Sequence, residues 1–249
     1  MSVPSSHSTI VMIPARLAST RLPDKPLAEI GGLPMIVQVW KRAMEADVGP
    51  VVVAAGDQAI VDAVMDHEGK AVLTDPDLPS GSDRIRAALD LIDADRRHDR
   101  VVNLQGDLPT IDPALIRTVL KPLDIFDAEI ATLATPITNP VERDDPNVVK
   151  AVIAFDSQHD NLGKALYFTR ARAPYGPGPV YHHIGIYAYQ RSALERYSAL
   201  PSSPLERREK LEQLRALENG MTIGVARVDT VPLGVDTSDQ LAEARRLLS

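Results

Sequence analysis

Residues 9–27, TIVMIPARLASTRLPDKPL, decide how this 249-residue chain is read. Residues 9–13 are apolar and β-branched enough to form a first buried strand. A Pro-rich loop follows, in which Pro14, Pro23 and Pro26 oppose continuation of the strand or entry into a helix. The backbone must therefore turn repeatedly while Arg16, Arg21 and Lys25 stay available to something negatively charged, for which a polyphosphate is the natural match. The alternative is a solvated basic loop with no ligand.

Working outward from that loop, short apolar runs at 50–55, 71–74 and 100–104 read as further strands. Amphipathic segments separate them. One is a helix over 34–47 with Pro34 as its first residue, and another runs over 57–68, capped by Asp57 and ended by Gly69. This alternation predicts an α/β fold with a doubly wound, mostly parallel sheet. In such a sheet the loop after the first strand lies at the carboxyl edge, where ligands bind.

Beyond Asp112, a candidate cap for a helix over 113–123, the pattern loosens into strands at 129–136, 148–155 and 165–169. The turn PYGPGP at 174–179 and the alternating run YHHIGIYAYQ at 181–190 complete an excursion from the first sheet. A helix over 204–218 stopped by Gly220, a strand over 221–228 and a terminal helix over 239–248 follow. No repeat, linker or compositional break marks a boundary. The expectation is one domain over 1–249, with an inserted subregion over about 129–190 and a flexible segment at 1–8.

Composition narrows the function. A net charge of −7 argues against nucleic acid as a partner, because phosphate neutralisation over many contacts needs clustered Lys and Arg. The absence of cysteine excludes disulfides and thiolate metal sites. No signal peptide and no membrane-length apolar run is present, so the chain reads as cytoplasmic, without membrane insertion.

Four further clusters carry polar chemistry. The loop has neither the Walker A pattern nor the dinucleotide GxGxxG, so phosphates would rest on Arg16, Lys25, Ser19 and backbone amides. Gln105, Gly106 and Asp107 follow the fourth strand; Asp107 is suited to Mg²⁺, although Gly-Asp before Pro109 also reads as a plain turn. Asp236, beside the candidate cap Thr237, either reinforces the terminal helix or supplies a second metal carboxylate. Ser80, Gly81 and Arg84 in SGSDR either approach a nucleotide or merely cap a helix. Arg170, His183, Tyr187, Glu212 and Gln213 make a second polar group, in which His183 and Glu212 also admit structural or solvated roles.

In order along the chain, PARLASTRLPDKPL, SGSDRI, NLQGD, DPNVVK, LYFTRA, HHIGIY, SPLERREKLEQLR and GVDT resemble the motifs of the 3-deoxy-manno-octulosonate cytidylyltransferase (CMP-Kdo synthetase) family. The resemblance spans about residues 9–248. It implies a nucleotide-diphospho-sugar transferase-like fold and an Mg²⁺-dependent transfer of CMP from CTP to the acid sugar Kdo, for lipopolysaccharide biosynthesis. It also implies a homodimer formed through the excursion region.

Carried onto this sequence, the resemblance makes Arg16, Lys25, Asp107 and Asp236 the catalytic set, with Asp107 and Asp236 as metal ligands. Pro14, Ala15, Arg16, Ser19, Lys25, Ser80, Gly81, Arg84 and Gln105 would hold CTP, with Arg21 shaping the loop. Gln105, Arg170, His183, Tyr187, Glu212 and Gln213 would contact the sugar. Three departures stand out: Leu108 where the family motif has Glu, SGSDR where it has SGTER, and a short Arg170 to His183 stretch. A related acid sugar, amino-substituted Kdo or a nonulosonic acid, is the neighbouring reading of the acceptor. A non-catalytic nucleotide-binding regulatory module is the reading from a different class, against which two candidate metal carboxylates argue.

Overall fold

The computed structural model describes residues 8–18 and 22–248. It divides into two compact units: Met1–Ile116 with Pro232–Ser249, and Arg117–Val231. The second contains the whole expected excursion and extends beyond it at both ends.

The first unit begins with β1 (Thr9–Ala15), the short hairpin β2 (Glu29–Ile30) and β3 (Leu33–Pro34), and α1 (Met35–Met44). It continues with β4 (Val51–Ala55), α2 (Gln58–Met65), β5 (Ala71–Leu73), α3 (Gly81–Ile92), β6 (Arg100–Asn103) and most of α4 (Pro113–Thr118). Strands β5, β4, β1 and β6 lie side by side in that order and run parallel, with Ile13 opposite Val53 and Val11 opposite Val102. Ile10 to Ile13 and Val51 to Ala55 are all buried, the pattern of strands covered on both faces. Each large side chain so buried contributes on the order of 1.5–3 kcal/mol.

The chain builds outward from β1 to β4 and β5, then returns to the other side of β1 for β6. That reversal makes the carboxyl ends of β1 and β6 a topological switch point, where a crevice opens.

The first strand runs two residues further than expected, through Pro14 to Ala15. Pairing with β4 continues to the last residue, Ala15 opposite Ala55, whereas pairing with β6 stops at Met12 opposite Asn103. Proline has no N–H to give the β6 side, so Pro14 is tolerated where that ladder ends. Pro34, expected inside α1, is instead its N-cap at φ −55° and ψ 142°.

The second unit holds α5 (Lys121–Phe126), β7 (Ile130–Pro136), β8 (Lys150–Phe155), β9 (Leu162–Thr169) and β10 (Tyr181–Gln190). Helices α6 (Arg191–Ala199), α7 (Pro204–Glu209) and α8 (Gln213–Glu218) and strand β11 (Ile223–Arg227) follow. Here the sheet is mixed: β11 is parallel to β7, while β10 with β7, β9 with β11 and β8 with β9 are antiparallel. The start of β10 also pairs with β8, Tyr181 opposite Ala151. The terminal helix α9 (Ser238–Leu247) belongs to the first unit.

Two expected helices are each broken in two. Residues 113–123 divide into α4 and α5 because Pro122 lacks an N–H and its ring would clash with the carbonyl of Thr118. Residues 204–218 divide at Lys210, which takes the left-handed conformation at φ 56°. Gly220, at φ 71°, stops α8 as expected. Among the described residues, no helix is long and apolar enough to cross a membrane.

Candidate active site

In the first unit a pocket opens at the switch point, lined by Pro14, Ala15, Arg16, Leu78, Ser80, Gly81, Arg84 and Gln105. All but Leu78 were expected from the sequence to meet a nucleotide. Ser19 and Arg21 lie outside the described residues.

Close backbone approach shapes the crevice. A Cβ on Gly106 would lie 2.9 Å from the Pro14 carbonyl oxygen, so the middle position of Gln-Gly-Asp admits no side chain. Ser80 caps α3: its Oγ accepts from the Asp83 N–H at 3.1 Å and donates to Asp83 Oδ2 at 2.7 Å. The capping alternative is therefore realised while Ser80 still lines the pocket.

Arg84 is nearly fully buried beneath the pocket. Its Nη1 donates to Thr74 Oγ1 at 2.6 Å and to the Asp75 carbonyl at 3.0 Å, and its Nη2 to the Pro76 carbonyl at 3.1 Å. Burial, then the repulsion of Arg16, holds it below its ordinary pKa, with Asp57 and Asp75 opposing. It remains a cation, because an arginine this basic is not deprotonated near neutrality.

Asp57 was expected only to cap α2. It occupies the N-cap position, yet its carboxylate makes no cap hydrogen bond and instead accepts from the Leu17 N–H at 2.8 Å. It thereby ties down the loop immediately after Arg16, a role the capping pattern does not reveal. The signal available in the sequence was position: Asp57 follows β4 at the same carboxyl edge as Arg16.

Beside the crevice, three distant residues converge. Lys25 Nζ donates to Asp107 Oδ2 at 2.8 Å and to Asp236 Oδ1 at 2.9 Å. Burial alone would lower the lysine pKa, but the charge of Asp107 and hydrogen bonds to both carboxylates outweigh it and leave it raised. The convergence rests on a small apolar core of Ile30, Met35, Val235, Leu241 and Ala244, which fastens the β2–β3 hairpin, the start of α1 and α9 together. The Val235 N–H also donates to the Asp107 carbonyl at 2.9 Å, joining the two acidic loops through their backbones. Thr237 and Gln240 form the capping box of α9, so Asp236 is not its N-cap and its carboxylate faces Lys25.

Two carboxylates meeting at one cation position are hard oxygen donors, a set that fits Mg²⁺ when water and phosphate complete its shell. Among the described residues, no group of three or more His, Cys, Asp or Glu side chains forms a candidate metal cluster. Leu108 is buried and adds no ligand.

The second unit contains the other expected residues, in a different chemical setting, and brings His183 and Tyr187 into contact. His183 is buried, its ring edge-on to Phe168 at 4.8 Å and tilted against Tyr187 at 5.5 Å. Its Nε2 lies 3.0 Å from Thr132 Oγ1, and that hydroxyl also faces the Ile184 and Ile186 carbonyls. Carbonyls only accept, so the hydroxyl proton goes to one of them and Nε2–H donates to Oγ1. Burial, reinforced by His182, lowers the His183 pKa to about 3. Burial likewise pushes the Tyr187 phenol well up. A β-bulge between Ile184 and Tyr187 shifts the register of β10 between these two side chains.

Arg170 is engaged with backbone carbonyls: Nε donates to Glu209 O at 2.8 Å, Nη1 to Pro146 O at 2.9 Å and Nη2 to Lys210 O at 3.3 Å. It thus satisfies carbonyls released where α7 ends, which explains a break that has no Gly or Pro to signal it. Glu212 is the N-cap residue of α8, and its carbonyl accepts from Tyr197 OH at 3.0 Å. Gln213 is buried, and its Nε2 has no hydrogen-bond partner. Trp40 Nε1 and Ser198 Oγ share that condition elsewhere, so the orphan Nε2 does not by itself mark a binding site.

The cytidylyltransferase family profile matches residues 10–223. A 3-deoxy-manno-octulosonate cytidylyltransferase of Parvibaculum lavamentivorans is 63% identical over 96% of this chain and 92% of its own length. One from Rhodospirillum centenum is 63% identical over 97% of this chain and 94% of its own. Among solved structures, CMP:2-keto-3-deoxy-manno-octonic acid synthetase complexed with CTP superposes with a TM-score of 0.89 at 37% identity, covering 97% of this chain and 98% of that one. The 4-diphosphocytidyl-2C-methyl-D-erythritol synthase of Anaerococcus prevotii shares the fold at a TM-score of 0.65 and 12% identity, covering 98% of this chain and 99% of that one.

Proposed function

Since this chain belongs to the 3-deoxy-manno-octulosonate cytidylyltransferase family of nucleotidyltransferases, we propose that it transfers CMP from CTP to the anomeric hydroxyl of Kdo. The observation that carries this reading is the convergence of Lys25, Asp107 and Asp236 beside the Arg16 crevice. In the reaction the sugar oxygen forms a bond to the α-phosphorus, the bond from that phosphorus to pyrophosphate breaks, and the hydroxyl proton is released.

Arg16 and Lys25 hold the triphosphate, and Arg16 offers forked hydrogen bonds to the charge that develops on the leaving group. Pro14, Ala15, Ser80, Gly81, Arg84 and Gln105 seat the nucleotide, with Ser19 assigned to the same loop. Asp107 and Asp236 would hold Mg²⁺, which when bound lowers the charge on phosphoryl oxygens and favours ionisation of a coordinated hydroxyl. Arg170, His183, Tyr187, Glu212 and Gln213 receive the acid sugar. His183 is neutral at pH 7 and donates to Thr132, so it serves as a binding group rather than the proton acceptor. The enzyme works in the cytoplasm, as a homodimer formed through the 129–190 region, and supplies CMP-Kdo to lipopolysaccharide biosynthesis.

A matrix of CTP, UTP, ATP and GTP against Kdo, 8-amino-Kdo and a nonulosonic acid tests base and acceptor together. Pyrophosphate release is expected with CTP and Kdo. Equal rates with UTP, or preference for another acid, would contradict the assignment.

A further inference from the structure

The point between the two acidic loops already holds a protein cation. Lys25 Nζ forms ion pairs with Asp107 at 2.8 Å and with Asp236 at 2.9 Å. Both partners are held by their backbones: the Val235 N–H donates to the Asp107 carbonyl, and the Asp236 N–H donates to Gln240 Oε1 at 2.8 Å. The main chain of Lys25 is held as well, in a 3₁₀ turn over Lys25–Leu27, where the Leu27 N–H donates to Asp24 O at 2.8 Å and the Ala28 N–H to Lys25 O at 3.1 Å. The soft part of the arrangement is the four-carbon stem of the lysine, which can re-aim its charge without moving the backbone.

We propose that Lys25 is a gate on the metal site: in the nucleotide-free protein its ammonium keeps the two carboxylates closed to a divalent cation, and the triphosphate draws it away, so metal and nucleotide load together. The proposal rests on the reading of Asp107 and Asp236 as metal ligands and of Lys25 as a triphosphate contact. Mg²⁺ must come within about 2.0–2.1 Å of the oxygens it ligates, where it meets both the ammonium's hydrogen bonds and its like charge. A triphosphate offers the lysine a stronger anionic partner and supplies further hard oxygens to the metal, so each ligand favours the other. Such coupling is reciprocal and commonly amounts to about 5–150-fold in affinity. If Lys25 were instead a permanent neutraliser of the two aspartates, no such coupling would pass through it.

The test is Mn²⁺ binding followed by the electron paramagnetic resonance of the free ion, with the full chain and no nucleotide. Lys25→Met, and independently Lys25→Gln, should bind Mn²⁺ on the order of tenfold more tightly than wild type. Lys25→Arg, which keeps a cation there, should not. The gain should vanish when Asp107→Asn is added. With CTP present, wild type should hold Mn²⁺ more tightly than the Asp107→Asn variant does, a comparison that removes the metal bound by CTP itself.

Unchanged or weaker Mn²⁺ binding by both neutral Lys25 variants would overturn the gate, while a loss confined to Asp107→Asn in the CTP complex would leave the metal site standing. If Asp107→Asn and Asp236→Asn both leave Mn²⁺ binding in the CTP complex untouched, the metal-site reading itself fails and takes the gate with it.

Discussion

In the first unit the polar groups around Lys25 answer to charge, whereas in the second those around His183 answer to hydrogen bonding in a drier setting. Around Arg16, cations and carboxylates lie on loops at a sheet edge, and Lys25 is neutralised by Asp107 and Asp236 with those side chains 30% and 43% exposed. Around His183, aromatic rings and a threonine hydroxyl hold a neutral imidazole. The first arrangement suits a polyphosphate whose charge shifts during reaction; the second suits the fixed hydroxyls of a sugar. On the proposed function, one chain would divide electrostatic work from shape recognition between two compact units.

The largest effect should come from the acidic pair. Asp107→Asn and Asp236→Asn should each reduce pyrophosphate release by at least about 100-fold, because each removes a candidate metal carboxylate. Both should keep the wild-type circular dichroism spectrum. Near-wild-type turnover in both variants would break the electrostatic half of the contrast.

Next in size is Asp57→Ala, which leaves the Leu17 N–H without its partner and frees the loop carrying Arg16. Loss of a charged acceptor of this kind is worth about 1.5–3 kcal/mol, so KM for CTP should rise on the order of tenfold or more. Asp57→Asn keeps an acceptor oxygen and should recover most of that loss. An unchanged KM for CTP in Asp57→Ala would remove the anchoring role.

Gln213→Leu sharpens the other half through two readouts. Removing a buried Nε2 donor with no partner should leave thermal stability equal or higher, since an unsatisfied buried donor costs about 1–3 kcal/mol. KM for Kdo should nevertheless rise several-fold while KM for CTP stays constant. A fall in stability with an unchanged KM for Kdo would make Gln213 a packing residue.

The last effect concerns pH and is read on stability rather than on turnover. As pH falls below His183's ordinary pKa of about 6.5, the unfolded chain takes up a proton that the native imidazole, with its pKa near 3, refuses. Stability from this group is therefore full above about pH 6.5 and declines progressively towards pH 3. Melting curves from pH 7 to 4 should show a shallower decline for His183→Gln than for wild type. Parallel declines would mean that His183 is not held neutral.

Much of the first unit was legible because strands buried on both faces leave continuous apolar runs, and because Gln-Gly-Asp and the basic loop each follow such a run. The second unit was harder to read. The division of residues 204–218 depends on Lys210 in a left-handed conformation and on Arg170 accepting the role of carbonyl partner, neither of which local sequence encodes. Convergence of Lys25 with Asp236 depends on a five-residue core gathered from both ends of the chain, which no spacing rule contains. Asp57 shows the opposite: the capping pattern places it correctly at the N-cap, whereas its carboxylate is committed to the neighbouring loop.

Hydrogen exchange measured with CTP alone and with Kdo alone tests the division of labour most directly. CTP should slow exchange in the segments around Arg16, Ser80 and Gln105, and Kdo in those around His183 and Gln213. Protection by CTP confined to the His183 and Gln213 segments, with the Arg16 and Ser80 segments unchanged, would contradict it.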